Sequence, residues 1–382
     1  MRIPFNKPYI AGNEIEYILE SVQNLHISGD GPFSKRVEQF LETRFEAKRV
    51  LLTTSCTAAL EMAALLCDVG PGDEVILPSF TFVSTANAFK LRGASLKFVD
   101  IEPTTLNMNA ALVDTACGNA TRVIAPVHYA GVGCDMDAIC ASAKAVGARV
   151  VEDAAQAVDA YYKDAPLGTI GDLGAFSFHE TKNYICGEGG ALLVNDAELL
   201  ERAEIIRDKG TNRGQFFRGQ TDKYTWVDVG SSYTPSDVLA AFLWAQLEQM
   251  ERIHAARERI FTRYAERLAP LAEAGILQLP NISAHCNPVH HMFYILTKNL
   301  DVRTRLISYL RERSILAVFH YVPLHSSPVG QSLGYAPGDL PITESVSERL
   351  LRLPFYFELS NDDIDTVADA VLSFYGLDAK AA

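Results

Sequence analysis

The chain has 382 residues, 48% hydrophobic and 21% charged, which is the composition of a folded globular protein with room for two domains. Its formal net charge of −13 at pH 7 argues against a broad nucleic-acid surface or an anionic-membrane patch, but not against a local phosphate pocket. Without an apolar run of signal-peptide or membrane-spanning length, we expect a cytoplasmic protein that binds neither nucleic acid nor membrane.

The cysteine pattern argues against disulfides and against a zinc site. The count is odd, and the spacings contain no C-x-x-C pair and no repeat. We therefore expect free thiols and no metal. The seven cysteines are Cys56, Cys67, Cys117, Cys134, Cys140, Cys186 and Cys286.

The first part of the chain predicts an arm followed by an α/β layered domain. Helical patterns cover residues 14–22 and 33–45, with a turn at 28–32 between them. Short apolar runs then alternate with helical stretches, which predicts a mostly parallel sheet between helices. The predicted strands are 49–52, 74–77, 96–99, 122–127 and 149–151. Because ligands collect beyond the carboxyl ends of such strands, the residues at those ends are the candidates for chemistry.

The residues after two of these strand ends could bind a phosphate group and stack on a flat ring. The first is followed by small hydroxyl residues that open an Ala/Leu-rich helix, so Ser55 and Thr57 could bind a phosphate with the free amides of that helix. A plain N-cap is the alternative. The second is followed by Phe80 and Phe82, of which one could stack on a ring or both could belong to the core.

A carboxylate and an amide follow the strand at 149–151. Asp153 could keep a pyridine nitrogen protonated, and Gln156 could donate to the phenolic oxygen of the same ring. A helix cap is the simpler interpretation of Asp153 taken alone. The combination with the phosphate site and the aromatic pair, in one α/β domain, favours the functional interpretation.

Lys182 lies in a polar turn between two apolar runs, 175–178 and 191–194, which predict buried strands. Desolvation disfavours the ammonium form of a lysine, and a neutral amine can form a Schiff base with an aldehyde. Most turn lysines are merely solvated, so this hypothesis depends on the residues at the other strand ends.

The remaining sequence predicts a loop, an apolar helix and a second, smaller α+β domain. The loop at 209–218 carries Arg213 and Arg218, which could bind substrate, contact another subunit or lie on the surface. An apolar helix at 238–250 and a charged connector helix at 251–267 follow, so the predicted domains are 1–250 and 251–382. The second domain has predicted strands at 291–296 and 315–321 and helices at 302–313, 343–351 and 361–374. His320 and His325 could contact a polar ligand or be structural.

Several motifs together resemble the DegT/DnrJ/EryC1/StrS family of sugar aminotransferases, and the resemblance covers nearly the whole chain. They are Gly29-Asp-Gly-Pro32, Thr54-Ser-Cys-Thr-Ala-Ala-Leu60, Pro78-Ser-Phe-Thr-Phe82, Pro126-Val-His-Tyr-Ala-Gly131, Glu152-Asp-Ala-Ala-Gln156, Phe176-Ser-Phe-His-Glu-Thr-Lys-Asn183, Gly187-Glu-Gly-Gly190 and Ser347-Glu-Arg-Leu-Leu-Arg-Leu-Pro354. The resemblance implies a fold-type I enzyme that uses pyridoxal 5'-phosphate.

By position, the resemblance implies a role for each strand-end residue. Lys182 would bind the cofactor covalently, Asp153 would pair with the ring nitrogen and Gln156 with the ring hydroxyl, and Phe82 would stack on the ring. The phosphate would lie against Ser55, Cys56, Thr57 and Ser177. Many members donate an asparagine across a homodimer interface to the phosphate, and Ser232 occupies that position here. Tyr184, Arg213, Arg218, His320 and His325 are the substrate candidates.

The implied reaction moves the amino group of L-glutamate to C4 of a dTDP-4-keto-6-deoxyhexose, giving dTDP-4-amino-4,6-dideoxygalactose for surface polysaccharides. Another nucleotide-linked keto sugar, including UDP-linked, 3-keto or gluco cases, and a non-catalytic cofactor-binding regulator are the alternatives. A nucleotide-binding dehydrogenase is disfavoured, because Thr-Ser-Cys-Thr stands where G-x-G-x-x-G is needed.

Overall fold

A computed structural model describes residues 2–377, and within them a seven-stranded sheet forms the centre of the fold. The strands of residues 2–377 are β1 (Arg49–Thr53), β2 (Glu74–Pro78), β3 (Ser95–Val99), β4 (Thr121–Ile124), β5 (Arg149–Asp153), β6 (Tyr161–Tyr162), β7 (Ala165–Pro166), β8 (Leu173–Ser177), β9 (Gly190–Val194), β10 (Cys286–Asn287), β11 (Tyr294–Leu296) and β12 (Leu350–Arg352). The order in the large sheet is β1-β9-β8-β5-β4-β2-β3, and β9 alone in it runs against its neighbours. The predicted mixed, mostly parallel sheet is confirmed.

The helices of the described residues are α1 (Glu14–Gln23), α2 (Pro32–Phe45), α3 (Cys56–Leu66), α4 (Val83–Lys90), α5 (Ala110–Ala116), α6 (Met136–Val146), α7 (Leu200–Arg207), α8 (Arg213–Phe217), α9 (Asp237–Leu247), α10 (Met250–Glu273), α11 (Leu300–Glu312), α12 (Pro328–Ser332), α13 (Pro341–Arg349) and α14 (Asn361–Phe374). Single 3₁₀ turns lie at Tyr129–Gly131 and Ala197–Leu199. None of the helices in residues 2–377 has the length and apolarity to cross a membrane.

Two hydrophobic cores pack on opposite faces of the large sheet, because successive strand residues point to opposite sides. In β1, Val50 and Leu52 belong to the core that also contains residues of α2 and α9, whereas Leu51 belongs to the core under α3 and α4. The strands β8 and β9 are buried on both faces, which explains why they are almost continuously apolar in sequence.

A third core belongs to the C-terminal unit, in which α10, α11 and α14 pack on the two-stranded β11–β12 sheet. Other segments cross the predicted boundary at residue 250. Ile3 packs into this third core, while Ile253 of α10 and Val289 pack into a core of the large sheet. The two units therefore share packed surfaces, and the edge of the large sheet faces the smaller unit.

Two predicted strands differ in the structure. No strand forms at 315–321; that segment makes single bridges from Ile315 to Ile3 and from Val318 to Arg352, so it never pairs with one neighbour long enough to form a ladder. The strand predicted at 122–127 ends at Ile124, two residues before Pro126, which lacks the N–H that a central strand must donate. The loop at 209–218 contains the short helix α8.

Candidate active site

A cavity of about 680 Å³ opens where the carboxyl ends of β5 and β8 face the C-terminal unit. Nine of the predicted site residues line it, which are Ser55, Cys56, Thr57, Phe82, Asp153, Gln156, Ser177, Lys182 and His320. They come from separate strand ends and from the smaller unit. The parallel sheet therefore collects residues that are distant in sequence at one edge.

The first turn of α3 has the features of an anion site. Ser55 is its N-cap, and its Oγ accepts a hydrogen bond from the Ala58 amide at 3.1 Å. The first amides of a helix have no intrahelical acceptor and carry the positive end of the helix dipole. Thr57 Oγ1 donates to Ser84 Oγ at 2.7 Å, which fixes a second hydroxyl at the same end. A phosphate group fits this set of donors.

Gly190 lets α3 approach the sheet closely enough to complete this anion site. It pairs with Thr53 on one side and with Ser177 on the other, so the ends of β1 and β8 flank the start of β9. A Cβ at Gly190 would lie 2.4 Å from the Cys56 backbone nitrogen. Only glycine allows the helix start and Ser177 to face the same part of the cavity.

Asp153 is held as an oriented acceptor at the end of β5. Its side chain is buried, its Oδ2 accepts the Thr85 hydroxyl at 2.6 Å and its Oδ1 accepts the Ala155 amide at 3.2 Å. Thr85 in turn lies 2.9 Å from the Thr81 hydroxyl. These two donors fix the direction of the carboxylate, which is the kind of group that can pair with a protonated ring nitrogen.

Gln156 is buried and fixed by both ends of its amide. Its Oε1 accepts the Ala130 amide at 2.7 Å, and its Nε2 donates to the Tyr321 hydroxyl at 3.2 Å. The side chain therefore reaches the cavity in one defined orientation, and Tyr321 from the smaller unit is part of the same network.

Lys182 lies in the turn between β8 and β9, half-buried, with its backbone amide bonded to the His179 carbonyl at 2.9 Å. Burial lowers the pKa of its amine, and the charge of Arg352 lowers it further, whereas Cys56 and Asp153 act in the opposite direction. A lowered pKa increases the fraction of neutral amine, which is the nucleophilic form.

Aromatic side chains form one wall of the cavity. Phe82 is exposed into it, with its ring centroid 6.4 Å from that of Tyr321. His320 stacks on Tyr321 with centroids 3.7 Å apart and lies 3.3 Å from the Tyr129 hydroxyl. Burial lowers the pKa of His320 well below that of a free imidazole, so the ring is neutral.

The structure corrects two predicted substrate residues, since neither lines the cavity. Tyr184 follows Lys182 closely in sequence, but its side chain is 1% exposed and packs in a core of the large sheet. His325 is fully buried, with Nδ1 2.7 Å from Ser79 Oγ and Nε2 2.8 Å from Glu344 Oε1. Both side chains are used in packing or structural hydrogen bonds.

Three other predicted residues lie on the surface, outside the cavity of their own chain. Arg213 stacks on Phe217, Arg218 donates to Glu204 at 2.9 Å, and Ser232 is exposed. Their substrate and cofactor roles therefore require a second subunit and stay predictions.

Four residues that line or support the cavity were missed by the sequence reasoning. Thr85 orients Asp153, His291 bonds Asn183 at 2.8 Å, and Arg352 ends β12. Glu152, next to Asp153, is fully buried and accepts three backbone amides and the His128 side chain. Thr85 could have been found as a hydroxyl in the first turn of the helix that follows a strand end. Arg352 has no such local signal.

The fold and this constellation define a class of enzyme in which a lysine amine holds pyridoxal 5'-phosphate at the carboxyl edge of a mostly parallel sheet. The residues present fit that cofactor, because the donors of α3 match its phosphate, Asp153 matches its ring nitrogen and Lys182 matches its aldehyde. Among residues 2–377 no cluster of His, Cys, Asp or Glu is arranged to hold a metal ion.

Comparison with known proteins identifies the family. Residues 8–372 match the DegT/DnrJ/EryC1/StrS aminotransferase family, and the chain belongs to it. The spore coat polysaccharide biosynthesis protein SpsC of Bacillus subtilis is 34% identical over 384 residues, which cover 97% of this chain and 96% of SpsC. This family membership makes the protein a pyridoxal phosphate-dependent sugar aminotransferase.

Solved structures of sugar aminotransferases share the whole fold. The PLP form of the putative sugar aminotransferase Spr1654 of Streptococcus pneumoniae superimposes with a TM-score of 0.89, at 26% identity and with 97% and 98% of the two chains covered. DesV of S. venezuelae gives 0.88, at 30% identity and with 98% of each chain covered. The predicted fold-type I class and the predicted cofactor are confirmed.

Proposed function

We propose that the enzyme transfers the amino group of L-glutamate to C4 of a dTDP-4-keto-6-deoxyhexose, giving dTDP-4-amino-4,6-dideoxygalactose and 2-oxoglutarate for surface polysaccharide. The proposed aminotransfer is supported by one observation: Lys182, an amine of lowered pKa, and the fixed carboxylate of Asp153 line the same cavity. The polysaccharide role is supported by the similarity to SpsC, which is named for spore coat polysaccharide biosynthesis.

The chain's own residues supply binding, orientation and proton transfer. Pyridoxal phosphate, when bound, supplies the electron sink that stabilises negative charge on a substrate carbon. Lys182 would hold the cofactor, and its free amine would act as the base that removes a proton from the donor α-carbon and returns one to C4 of the sugar. Its lowered pKa increases the fraction of free amine available for this step.

Asp153 and Thr85 keep the charge distribution of the site fixed. The Thr85 hydroxyl orients the Asp153 carboxylate, which would keep the ring nitrogen of the cofactor protonated and so increase the capacity of the ring to accept electrons. The neutral His320 and the aromatic wall present an uncharged surface that suits a sugar ring.

We also propose that the site is completed by a second copy of the chain in a homodimer. Ser232 is exposed and lies outside the cavity of its own chain. By resemblance it occupies the position from which many family members donate an asparagine to the partner's phosphate site. Mixing Ser232→Ala with Lys182→Ala subunits tests this: each mixed dimer then contains one complete site. Recovery of activity on mixing supports donation across the interface, and additive losses contradict it.

A panel of keto sugars tests the reaction itself. Purified enzyme with L-glutamate is incubated with dTDP-linked and UDP-linked 3-keto and 4-keto sugars, and the products are analysed by NMR. A 4-amino product of galacto configuration from the dTDP-4-keto sugar supports the proposal, and preferential use of a UDP-linked or 3-keto sugar contradicts it. Lys182→Ala should abolish turnover, whereas Lys163→Ala, which removes an exposed lysine outside the cavity, should not.

A further inference from the structure

The tip of the loop that carries Lys182 is held by side chains rather than by its own backbone. The stem of this loop is paired, because the Glu180 amide donates to the Gly187 carbonyl at 2.9 Å. In the part of the chain that the structure describes, residues 181–185 make a single backbone–backbone hydrogen bond, from the Lys182 amide to the His179 carbonyl. A loop tip with so few backbone bonds keeps one conformation only if other parts of the chain fix it.

Asn183, the residue after Lys182, connects the loop tip to other parts of the chain. Its side chain is buried, and its Nδ2 donates to the Val289 carbonyl at 3.0 Å. The amide oxygen Oδ1 therefore faces the ring of His291, whose Nδ1 lies 2.8 Å away. The backbone carbonyl of Asn183 accepts the Tyr9 hydroxyl at 2.6 Å. One residue thus links the lysine turn both to the smaller unit and to the N-terminal segment.

The hydrogen bond to Asn183 sets the tautomer of His291. An amide oxygen only accepts, so Nδ1 of His291 carries the hydrogen. Burial lowers the pKa of this imidazole well below its ordinary value, so the ring is neutral. Its backbone is fixed as well, because the buried Arg257 donates to the His290 carbonyl at 3.1 Å and to the His291 carbonyl at 2.6 Å. His291 is therefore a rigid donor directed at the lysine turn.

The position of the Lys182 amine matters for its chemistry. Lys182 and His291 line the same cavity, and the charge of Lys182 contributes to the lowered pKa of His291, so the two side chains lie within electrostatic range. Holding a reacting group in place raises its effective concentration at the reacting partner. A turn that had to be ordered each time the amine reacts would lose part of this gain.

We propose that His291 and Asn183 are positioning residues for Lys182, acting through the hydrogen bond from Nδ1 of His291 to the Asn183 side chain. This pair, the His291–Asn183 clamp, holds the lysine turn so that the amine reaches the cofactor aldehyde. The inference rests on the proposed covalent role of Lys182, but not on the identity of the sugar or of the amino donor.

Two forms of the cofactor separate an effect on Lys182 from an effect on the rest of the site. Pyridoxal phosphate can bond covalently to Lys182, whereas pyridoxamine phosphate has no aldehyde and uses only the non-covalent contacts. Apoprotein is titrated with each compound, and covalent attachment is trapped with borohydride and located by mass spectrometry. His291→Gln moves the amide nitrogen away from the Nδ1 position and leaves the buried Asn183 oxygen without a donor. It should weaken pyridoxal phosphate binding roughly fivefold or more, and leave pyridoxamine phosphate binding unchanged.

Three further variants accompany His291→Gln. His291→Asn places an amide nitrogen at the position of Nδ1 and should restore the binding of pyridoxal phosphate. Tyr9→Phe removes the bond to the Asn183 carbonyl but keeps the ring that stacks on Phe357, and should weaken pyridoxal phosphate binding alone, by roughly threefold. His285→Gln replaces an exposed histidine outside the cavity, and as the control it should change neither binding constant.

The proposal is overturned if His291→Gln weakens both cofactor forms equally, because the whole site is then loosened, or if it weakens neither. It is also overturned if His291→Gln behaves as the wild type while His291→Asn is impaired, because Nε2 rather than Nδ1 is then the important atom. If both His291 variants lose pyridoxal phosphate binding alone, or fail to fold, Tyr9→Phe decides: a selective loss supports the clamp, and wild-type binding contradicts it. Equal binding of pyridoxal phosphate by Lys182→Ala and the wild type is a separate result, which refutes the proposed role of Lys182 itself.

Discussion

The hydrogen bond from Thr85 to Asp153 allows a specific prediction, because it links a buried hydroxyl to a carboxylate that lines the cavity. Replacing Thr85 with valine keeps the shape of the side chain and removes only the hydroxyl. Asp153 Oδ2 then loses its donor at 2.6 Å, and the Thr81 hydroxyl loses its neighbour at 2.9 Å. Both threonines are almost completely buried, so water does not replace the bond freely.

A hydrogen bond to a charged group contributes about 1.5–3 kcal/mol. Because about 1.36 kcal/mol corresponds to a tenfold change in a rate or binding constant, Thr85→Val should lower kcat/KM or cofactor affinity by roughly ten- to 150-fold. Thr81→Val removes a bond between two neutral hydroxyls, for which about 0.5–1.5 kcal/mol is expected. Thr85→Ser keeps the donor and should restore most of the loss.

The assay is titration of the apoprotein with pyridoxal phosphate, followed by steady-state kinetics at saturating cofactor. We expect the order of impairment Thr85→Val, then Thr81→Val, then Thr85→Ser. Equal effects of Thr85→Val and Thr81→Val would refute the reasoning, since the charged bond would then have no special weight. Wild-type behaviour of Thr85→Val would refute it as well.

Three further predictions follow from the same region. Glu152→Gln puts an amide NH₂ group among the three backbone amides that donate hydrogen bonds to the buried carboxylate. It should lower the free energy of unfolding, measured by urea denaturation, by about 3–5 kcal/mol. An unchanged denaturation midpoint would contradict this prediction. Because the pKa of Lys182 is lowered, the rate at which apoprotein binds the cofactor covalently should rise with pH, with a midpoint below the pKa of an ordinary lysine, about 10.4. A midpoint of the pH profile at that ordinary value would contradict this prediction. Gly190→Ala should force α3 from the sheet, costing about 1–3 kcal/mol and cofactor affinity, whereas Gly118→Ala, with open space at its Cβ, should do neither.

The alternation of strands and helices was enough to predict where chemistry would lie. Apolar runs bounded by polar residues mark the strand ends at Thr53, Asp153 and Ser177, and parallel strands place such ends at one edge. Local sequence therefore gave the fold class and a set of residues that the structure brings into one cavity. The motifs added the family, which the comparison confirmed.

Local sequence failed where the direction of a side chain depends on distant packing. Tyr184 is close to Lys182 along the chain, but the turn sends its ring into the core. His325 is close to His320, yet it is bonded between Ser79 and Glu344. Nearness in sequence carries no information on which face of a loop is buried.

The sequence by itself thus determined the sheet, the turn that carries Lys182 and the residues of the large unit that line the cavity, because periodicity and strand ends are local properties. Tertiary structure alone decided which residues of the smaller unit close the cavity. Arg352 reaches it only because β12 pairs with β11 and bridges Val318. Such a juxtaposition depends on how two packed units meet, which no window of sequence contains.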